Sequence, residues 1–195
     1  KEANIFSAIT KSNDRIIAKI YRLENCNFTK MYDYLRDDKR YISLKNRSRM
    51  VVFSWVQREY KNLLLARTVI KVPKPIAFKD NVVLMEFIGD QDPAQELKDL
   101  KPKDPKKFFK KVTDNIKKLY DIGLVHGDLS QFNILNYNEE PIFIDFSQGT
   151  TTESENAPKL LKRDVKNICI YFRKYFEISE KEEEEIYSKI VGKKS

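Results

Sequence analysis

The sequence predicts an α+β fold in two unequal parts: a β-rich N-terminal part carrying one long helix, then a mainly helical C-terminal part. Three observations carry that prediction. Short apolar, β-branched segments crowd the first 88 residues. A glycine- and proline-marked break, Gly89-Asp90-Gln91-Asp92-Pro93, follows them, and beyond it the apolar residues recur mostly at helical spacing. A chain of 195 residues has room for one domain or for two small lobes sharing an interface. With 41% hydrophobic and 12% aromatic residues it can bury a packed core.

Residues 4–9 and 15–21 read as strands of a hairpin turned by Lys11-Ser12-Asn13-Asp14. Residues 24–42 are polar, charged and without period, and read as a long mobile loop or a frayed helix. A helix is expected from about Ser43 to Thr68. It ends before Lys71-Val72-Pro73-Lys74-Pro75, because proline lacks a donor and forces its predecessor out of the helical region. Strands follow at 75–79 and 82–88 around Lys79-Asp80-Asn81. Phe108, Val112, Ile116 and Tyr120, widened by Phe109 and Leu119, mark a helix over 105–122 that closes at Ile122-Gly123. Strands at 134–137 and 141–144 flank Asn138-Glu139-Glu140. A helix at about 158–176 carries Leu161, Val165, Ile168 and Phe172 on one face, and the last helix opens with Ser179 and Glu182 at capping-box spacing.

Composition removes several classes. No apolar run approaches the ~18 residues of a membrane span. Cys26 and Cys169 are far apart, which argues against a disulfide scaffold or a cysteine zinc site and for a reducing, cytoplasmic setting. A single histidine, His126, excludes multi-histidine metal cages. None of the five glycines precedes Gly89, so neither GxGxxG nor a Walker A loop is present. No GxSxG elbow supports Ser130 or Ser147 as a hydrolase nucleophile. The opening at Lys1, without initiator Met or signal peptide, reads as a piece of a longer chain.

The chemistry concentrates in Val125-His126-Gly127-Asp128-Leu129-Ser130-Gln131-Phe132-Asn133-Ile134-Leu135 and, after a strand and turn, Phe143-Ile144-Asp145-Phe146. Phosphoryl transfer from ATP needs this inventory: one carboxylate to take the acceptor's proton, and a hard oxygen donor with a second carboxylate to hold Mg²⁺ against the phosphates. The D-L-x-x-x-N spacing from Asp128 to Asn133 matches the kinase catalytic loop, and Asp145 stands where the metal-binding aspartate of the DFG motif would, with Phe146-Ser147 in place of Phe-Gly. Singly, Asp128 and Asn133 could be turn formers and Asp145 a strand cap. His126 reads as a packed residue supporting the loop.

A kinase also needs a lysine on the phosphates and a glutamate to hold it. Lys19 lies in an apolar strand on the face of Ile17 and Tyr21. Glu59 falls on the stripe of Val52, Val56 and Leu63, where a carboxylate is costly unless paired. Either it pairs with Lys19, or it reaches solvent at the stripe's edge, or it pairs locally with Arg58 or Lys61. Leu84-Met85-Glu86-Phe87-Ile88-Gly89 would form the hinge, with Glu86 C=O and Ile88 N–H offered to adenine and Met85 at the back of the pocket.

These residues resemble the RIO family of atypical protein kinases, and specifically its type-one branch, over nearly the whole chain. The similarity lies in Lys1-Glu2-Ala3-Asn4-Ile5-Phe6, Lys19-Ile20-Tyr21-Arg22, the 84–89 segment, the 126–135 loop, Ile144-Asp145-Phe146-Ser147-Gln148 and Leu161-Lys162-Arg163-Asp164-Val165-Lys166-Asn167-Ile168. The resemblance implies a reduced bilobal protein-kinase-like fold. Residues 1–88 would form a small β-rich N-lobe with a flexible insertion at about 24–42, residues 89–195 a mainly helical C-lobe, and the active site would lie between them. It further implies a serine/threonine kinase or ATPase of small ribosomal subunit maturation. Asp128 would be the catalytic base, Asn133 and Asp145 would hold Mg²⁺ or Mn²⁺, Lys19 would contact the phosphates of ATP, and Glu86 and Ile88 would bind adenine. Asp145 could itself accept phosphate as an aspartyl-phosphate. The chain departs from the family twice: the Ser-Thr-Gly phosphate loop would precede Lys1, and Gln131 stands where acidic residues are common.

Partners follow from charge. Thirty-seven Lys+Arg against 29 Asp+Glu give a net charge of +8, and residues 101–118 hold eight lysines against Asp104 and Asp114. Such a surface suits rRNA of the pre-small-subunit, or is simply a solvated helix face. A protein substrate or autophosphorylation is expected, and no membrane partner. The competing readings are another kinase with the HGDL motif (a small-molecule phosphotransferase or the kinase of a tRNA-modification complex) and a non-catalytic nucleotide- or RNA-binding module.

Overall fold

The computed structural model describes residues 2–24, 28–36 and 48–192. Strands β1 (Ala3–Ile9) and β2 (Arg15–Tyr21) form the expected hairpin, and β3 (Pro75–Lys79) and β4 (Val82–Glu86) complete an antiparallel sheet of order β1-β2-β4-β3. Its register sets Lys19 between Ile5 and Val83, in the middle of the sheet, where the alternation of β2 turns the side chain inward and leaves it 6% exposed. Strand β4 stops at Glu86, two residues short of the 82–88 reading. There the Glu86 N–H donates to Lys74 O and its carboxylate accepts the Lys74 N–H, which fastens the strand end before the chain leaves the sheet.

Two helices accompany this sheet. α1 (Phe28–Arg36) falls within the segment read as a mobile loop or a frayed helix, and these residues are helical: Met31 and Leu35, one helical turn apart, are buried against the core, and α1 packs on α2 (Ser48–Ala66). Residues 25–27 and 37–47 lie outside the described residues, and with them the rest of the expected insertion and the expected helix start at Ser43. α2 buries Val52, Trp55, Val56 and Leu63. It ends at Ala66 in a turn of bonds from Arg67 to Ile70, ahead of Pro73.

Beyond the 89–93 break, β5 (Gln95–Glu96) precedes α3 (Pro105–Asp121). Asp104 caps α3 by accepting the Lys107 N–H, Pro105 opens it, and Phe108, Val112, Ile116 and Leu119 are buried. The two-residue strand β6 (Leu124–Val125) leads into the motif loop. Then come β7 (Ile134–Tyr137) and β8 (Glu140–Phe143), which with β5 make a sheet of order β5-β7-β8. β9 (Thr150–Thr151) pairs back onto β6, so the segment carrying both motif aspartates is pinned at its two ends. α4 (Ala157–Phe172) stops four residues before the expected 176, where turn bonds from Tyr175 and Phe176 to Phe172 O take over. α5 (Glu180–Val191) has the expected capping box of Ser179 and Glu182.

One apolar core runs through both parts, from Val83 and Met85 through Leu97 and Leu129 to Phe143 and Phe172. The α+β class expected from sequence is observed. Among the described residues no helix is long and apolar enough to cross a membrane.

Candidate active site

A cleft of about 530 Å³ opens between the four-stranded sheet and the β7–β8 hairpin, a size suited to a nucleotide. Its apolar walls include Ile17, Met85, Leu135 and Ile144, and Lys19, Glu59, Asn133 and Asp145 line its polar end. A second hollow of about 350 Å³ shares Lys19 and Asp145 with the first and adds Tyr21, Asp128, Ser147 and Gln148.

At the shared wall the Lys19 ammonium sits between two carboxylates, 2.7 Å from Glu59 Oε1 and 2.8 Å from Asp145 Oδ1. The Tyr21 hydroxyl donates to Glu59 Oε2 at 2.7 Å, so both oxygens of the fully buried Glu59 are satisfied. This arrangement follows from β2: Lys19 and Tyr21 are two residues apart on one strand face and reach the same carboxylate on α2. Of the three cations considered for Glu59, Lys19 is the one observed, and the carboxylate does not reach solvent. Burial pushes Glu59 upward, opposed by the adjacent ammonium. Burial works against Lys19 as well, but the two carboxylates outweigh it and raise its pKa well above the usual range. Burial disfavours the Asp145 carboxylate too, yet Lys19 and the Ser147 hydroxyl bring its pKa down to about 2. Lys19 and Asp145 are therefore both ionised at neutral pH.

The motif loop is held from several sides. Gly127 has φ +78, and a Cβ there would lie 2.8 Å from Gln148 O, so only glycine fits before Asp128. Asp164, 1% exposed on α4, accepts the N–H of Gly127 at 2.7 Å and of Leu129 at 2.8 Å. Arg163 donates to Gly127 O and stands 3.8 Å from Asp128 Oδ1, while Asn167 reaches Leu129 O. Asn133 donates to Asp128 O at 2.7 Å, closing the loop on itself. His126 accepts the Asp128 N–H on Nδ1 and bonds Ile144 O through Nε2, which makes Nε2 the protonated nitrogen. It thus links the backbone of one aspartate to the residue before the other, as expected of a packed, supporting histidine.

Asp145 has a left-handed backbone, φ 61 and ψ 68, uncommon for any residue but glycine. Ser147, in the place of the usual glycine, donates to Asp145 Oδ1 at 2.6 Å. Oδ1 is thereby occupied by Lys19 and Ser147, while Oδ2 of Asp145 and Oδ1 of Asn133 have no hydrogen-bond partner among the described residues. Two hard oxygens at the polar end of the cleft fit a divalent cation completed by phosphate and water oxygens. They do not make a cage by themselves: among the described residues no group of three or more His, Cys, Asp or Glu side chains is placed to hold a metal.

At the other end of the cleft, Met85, Glu86 and Ile88 all line the cavity. Ile88 O accepts the Ala94 N–H, and the Ile88 N–H makes no hydrogen bond among the described residues. Of the residues singled out in the sequence, Lys19, Glu59, Met85, Glu86, Ile88, Asn133 and Asp145 thus line one cleft, and Asp128 lines the adjoining hollow. Sequence reasoning missed Tyr21, Ser147 and Asp164. Asp164 could have been found by the signal that flagged Glu59, a carboxylate on the buried stripe of a helix.

The β-sheet region, the long helix presenting a glutamate to a strand lysine, and the helical region carrying the motif loop together define a protein-kinase-like fold. The RIO domain family matches residues 4–186. The chain is 42% identical over 176 residues to the RIO-type serine/threonine-protein kinase Rio1 of Methanocaldococcus jannaschii, covering 89% of this chain and 60% of that one. It is 30% identical over 174 residues to Rio1 of Thermoplasma acidophilum, covering 88% and 91%. A solved Rio2 kinase–ADP/Mg²⁺–phosphoaspartate complex from Chaetomium thermophilum superposes with a TM-score of 0.74 at 26% identity, covering 100% of this chain and 60% of that one. The chain belongs to the RIO family. It spans about three-fifths of the length of the Methanocaldococcus relative and of the Chaetomium structure.

Proposed function

We propose that the chain is the catalytic part of a RIO-type serine/threonine protein kinase that uses ATP and Mg²⁺ or Mn²⁺. The observation that carries this reading is the convergence of Lys19, Glu59 and Asp145 at the polar end of a nucleotide-sized cleft. Residues 1–88 act as the N-lobe and 89–195 as the C-lobe. Glu86 C=O and Ile88 N–H take adenine above Met85, and Glu59 with Tyr21 holds Lys19 on the phosphates. The cation, held by Asn133 and Asp145, neutralises phosphate charge when bound. Asp128 orients the acceptor hydroxyl and takes its proton as the oxygen attacks the γ-phosphorus and the bond to the departing ADP breaks.

A second reading of the same site is favoured by the partnerless Oδ2 of Asp145. That oxygen attacks the γ-phosphorus, ADP leaves, and water later cleaves the acyl phosphate, which gives slow ATPase turnover. The phosphoaspartate of the Chaetomium complex supports this route by likeness. We place the work of the protein in cytoplasmic maturation of the small ribosomal subunit, with pre-subunit rRNA meeting the lysine-rich surface of α3.

Purified protein with ATP and Mg²⁺ is expected to release ADP. Asp145→Asn should abolish release, and Asp128→Ala should lower transfer to a protein acceptor while leaving nucleotide binding intact. Full ADP release by Asp145→Asn would refute the assignment. A small alcohol outcompeting protein acceptors by orders of magnitude would move the chain to the small-molecule phosphotransferases.

A further inference from the structure

Asn62 lies on α2 one turn beyond Glu59 and is 5% exposed. Its Nδ2 donates to Phe146 O at 3.0 Å and to Gly149 O at 2.9 Å. These two carbonyls bracket the 3₁₀ turn Phe146–Gln148 that starts directly after Asp145. From the same helix, Arg58 Nε donates to Gly149 O at 2.8 Å. A Cβ on Gly149 would lie 2.7 Å from Asn62 Nδ2, so the bare backbone at 149 is what lets α2 approach this closely. The helix that presents Glu59 to Lys19 therefore also grips the turn that presents Asp145 to Lys19. Asn62 lines neither of the two hollows of the site, so whatever it does for the reaction passes through that turn.

We propose that Asn62 is a positioning residue: by holding the Phe146 and Gly149 carbonyls it fixes the Asp145 carboxylate relative to Lys19, so that α2 and the Asp145 turn move as one body. The proposal rests on the kinase reading of the site. The two requirements on Asp145 explain why a buried amide is used here. A left-handed residue is held against its own backbone preference only if the surrounding structure over-determines it. A primary amide also supplies two N–H groups for two carbonyls without adding charge next to a crowded ionic cluster.

The test compares the full chain with Asn62→Ala by steady-state ATP turnover and by amide hydrogen exchange without nucleotide. The variant is expected to fold, because each carbonyl keeps a donor: Arg58 for Gly149 O and the Gly149 N–H for Phe146 O. A shift of the reacting carboxylate should lower kcat by ~10–100-fold. KM for ATP should stay within ~2-fold, since the adenine side of the cleft is untouched. Faster exchange should be confined to residues 146–149 and the adjoining turn of α2. A merely structural residue would reduce the folded fraction and leave kcat per folded molecule unchanged; that result overturns the proposal, as does unaltered exchange at 146–149. Should Asn62→Ala fail to fold, Gly149→Ala presses on the same contact from the other side and must reproduce the loss in kcat, an unchanged kcat again overturning it. If the wild-type chain itself turns over no ATP, the kinase reading falls, while the exchange measurement still decides whether Asn62 fixes the turn.

Discussion

The carboxylate of Asp164 brackets Asp128, accepting the backbone N–H of the residue on either side of it. Two N–H bonds from one buried carboxylate fix the direction in which Asp128 leaves the loop, and Arg163 and Asn167 add bonds from the same face of α4. The loop conformation is therefore set by a helix more than 30 residues further along the chain.

Asp164→Asn should loosen this bracket. An amide offers one acceptor oxygen and sets an NH₂ group against the second N–H, so one backbone donor is left unpaired. Turnover is expected to fall by ~10-fold or more. Burial raises the Asp164 pKa to about 7, against the two N–H groups and Arg163, with Asp128 adding to the rise. A carboxyl whose folded pKa exceeds its unfolded value of about 3.9 binds its proton more tightly when folded. Its contribution to stability is complete below that unfolded value and is lost as pH climbs through about 7. Urea unfolding at pH 4, 6 and 8 should show a decline in the wild type that Asp164→Asn lacks.

His126 is expected to stay neutral across the physiological range. Burial brings its pKa down to about 4, although the bond to Ile144 O and the Asp145 charge favour the protonated form. Here the sign is opposite: the stability it contributes is present above the unfolded value near 6.5 and is lost as pH falls through about 4. The chain has one histidine, so its imidazole proton resonances are unambiguous. A midpoint between pH 6 and 7 in the folded protein would contradict the buried, bridging role.

Tyr21→Phe removes the donor to Glu59 Oε2 and leaves that oxygen buried without a partner. The expected cost is ~1–3 kcal/mol of stability, read by urea unfolding. Glu59→Gln should couple to it non-additively, since the two side chains share one bond. Strict additivity would mean that Tyr21 does not support the pair.

Leu35→Ala tests the packing of α1. Leu35 is fully buried, so truncation should cost ~2–5 kcal/mol. A loss under half a kilocalorie would return the segment to the mobile loop or frayed helix expected from its composition.

Most of the site was legible because it rests on charged side chains in positions where charge is costly. Glu59 on an apolar stripe demands a cation, and Lys19 on an apolar strand demands an anion. Asp128, Asn133 and Asp145 announced themselves by spacing. Backbone partners were not legible: Asn62 and Arg58 grip carbonyls that every residue type provides, and nothing in their spacing points to Gly149. The two-residue strands β5, β6 and β9 were missed because no periodicity can show in two residues. For α1 the composition left a loop and a frayed helix both open, because Phe28, Met31 and Leu35 are few apolar positions in a polar segment, and tertiary packing on α2 gives that short helix its reason to form.

The position of Trp55 has a practical consequence. It is the single tryptophan of the chain, it is buried, and it lies on α2 one turn before Glu59. Excited at the red edge, beyond tyrosine absorption, the unlabelled protein therefore emits from one fluorophore mounted on the glutamate-bearing helix, and shifts in its intensity on adding ADP or a divalent cation give an optical record of that helix in real time.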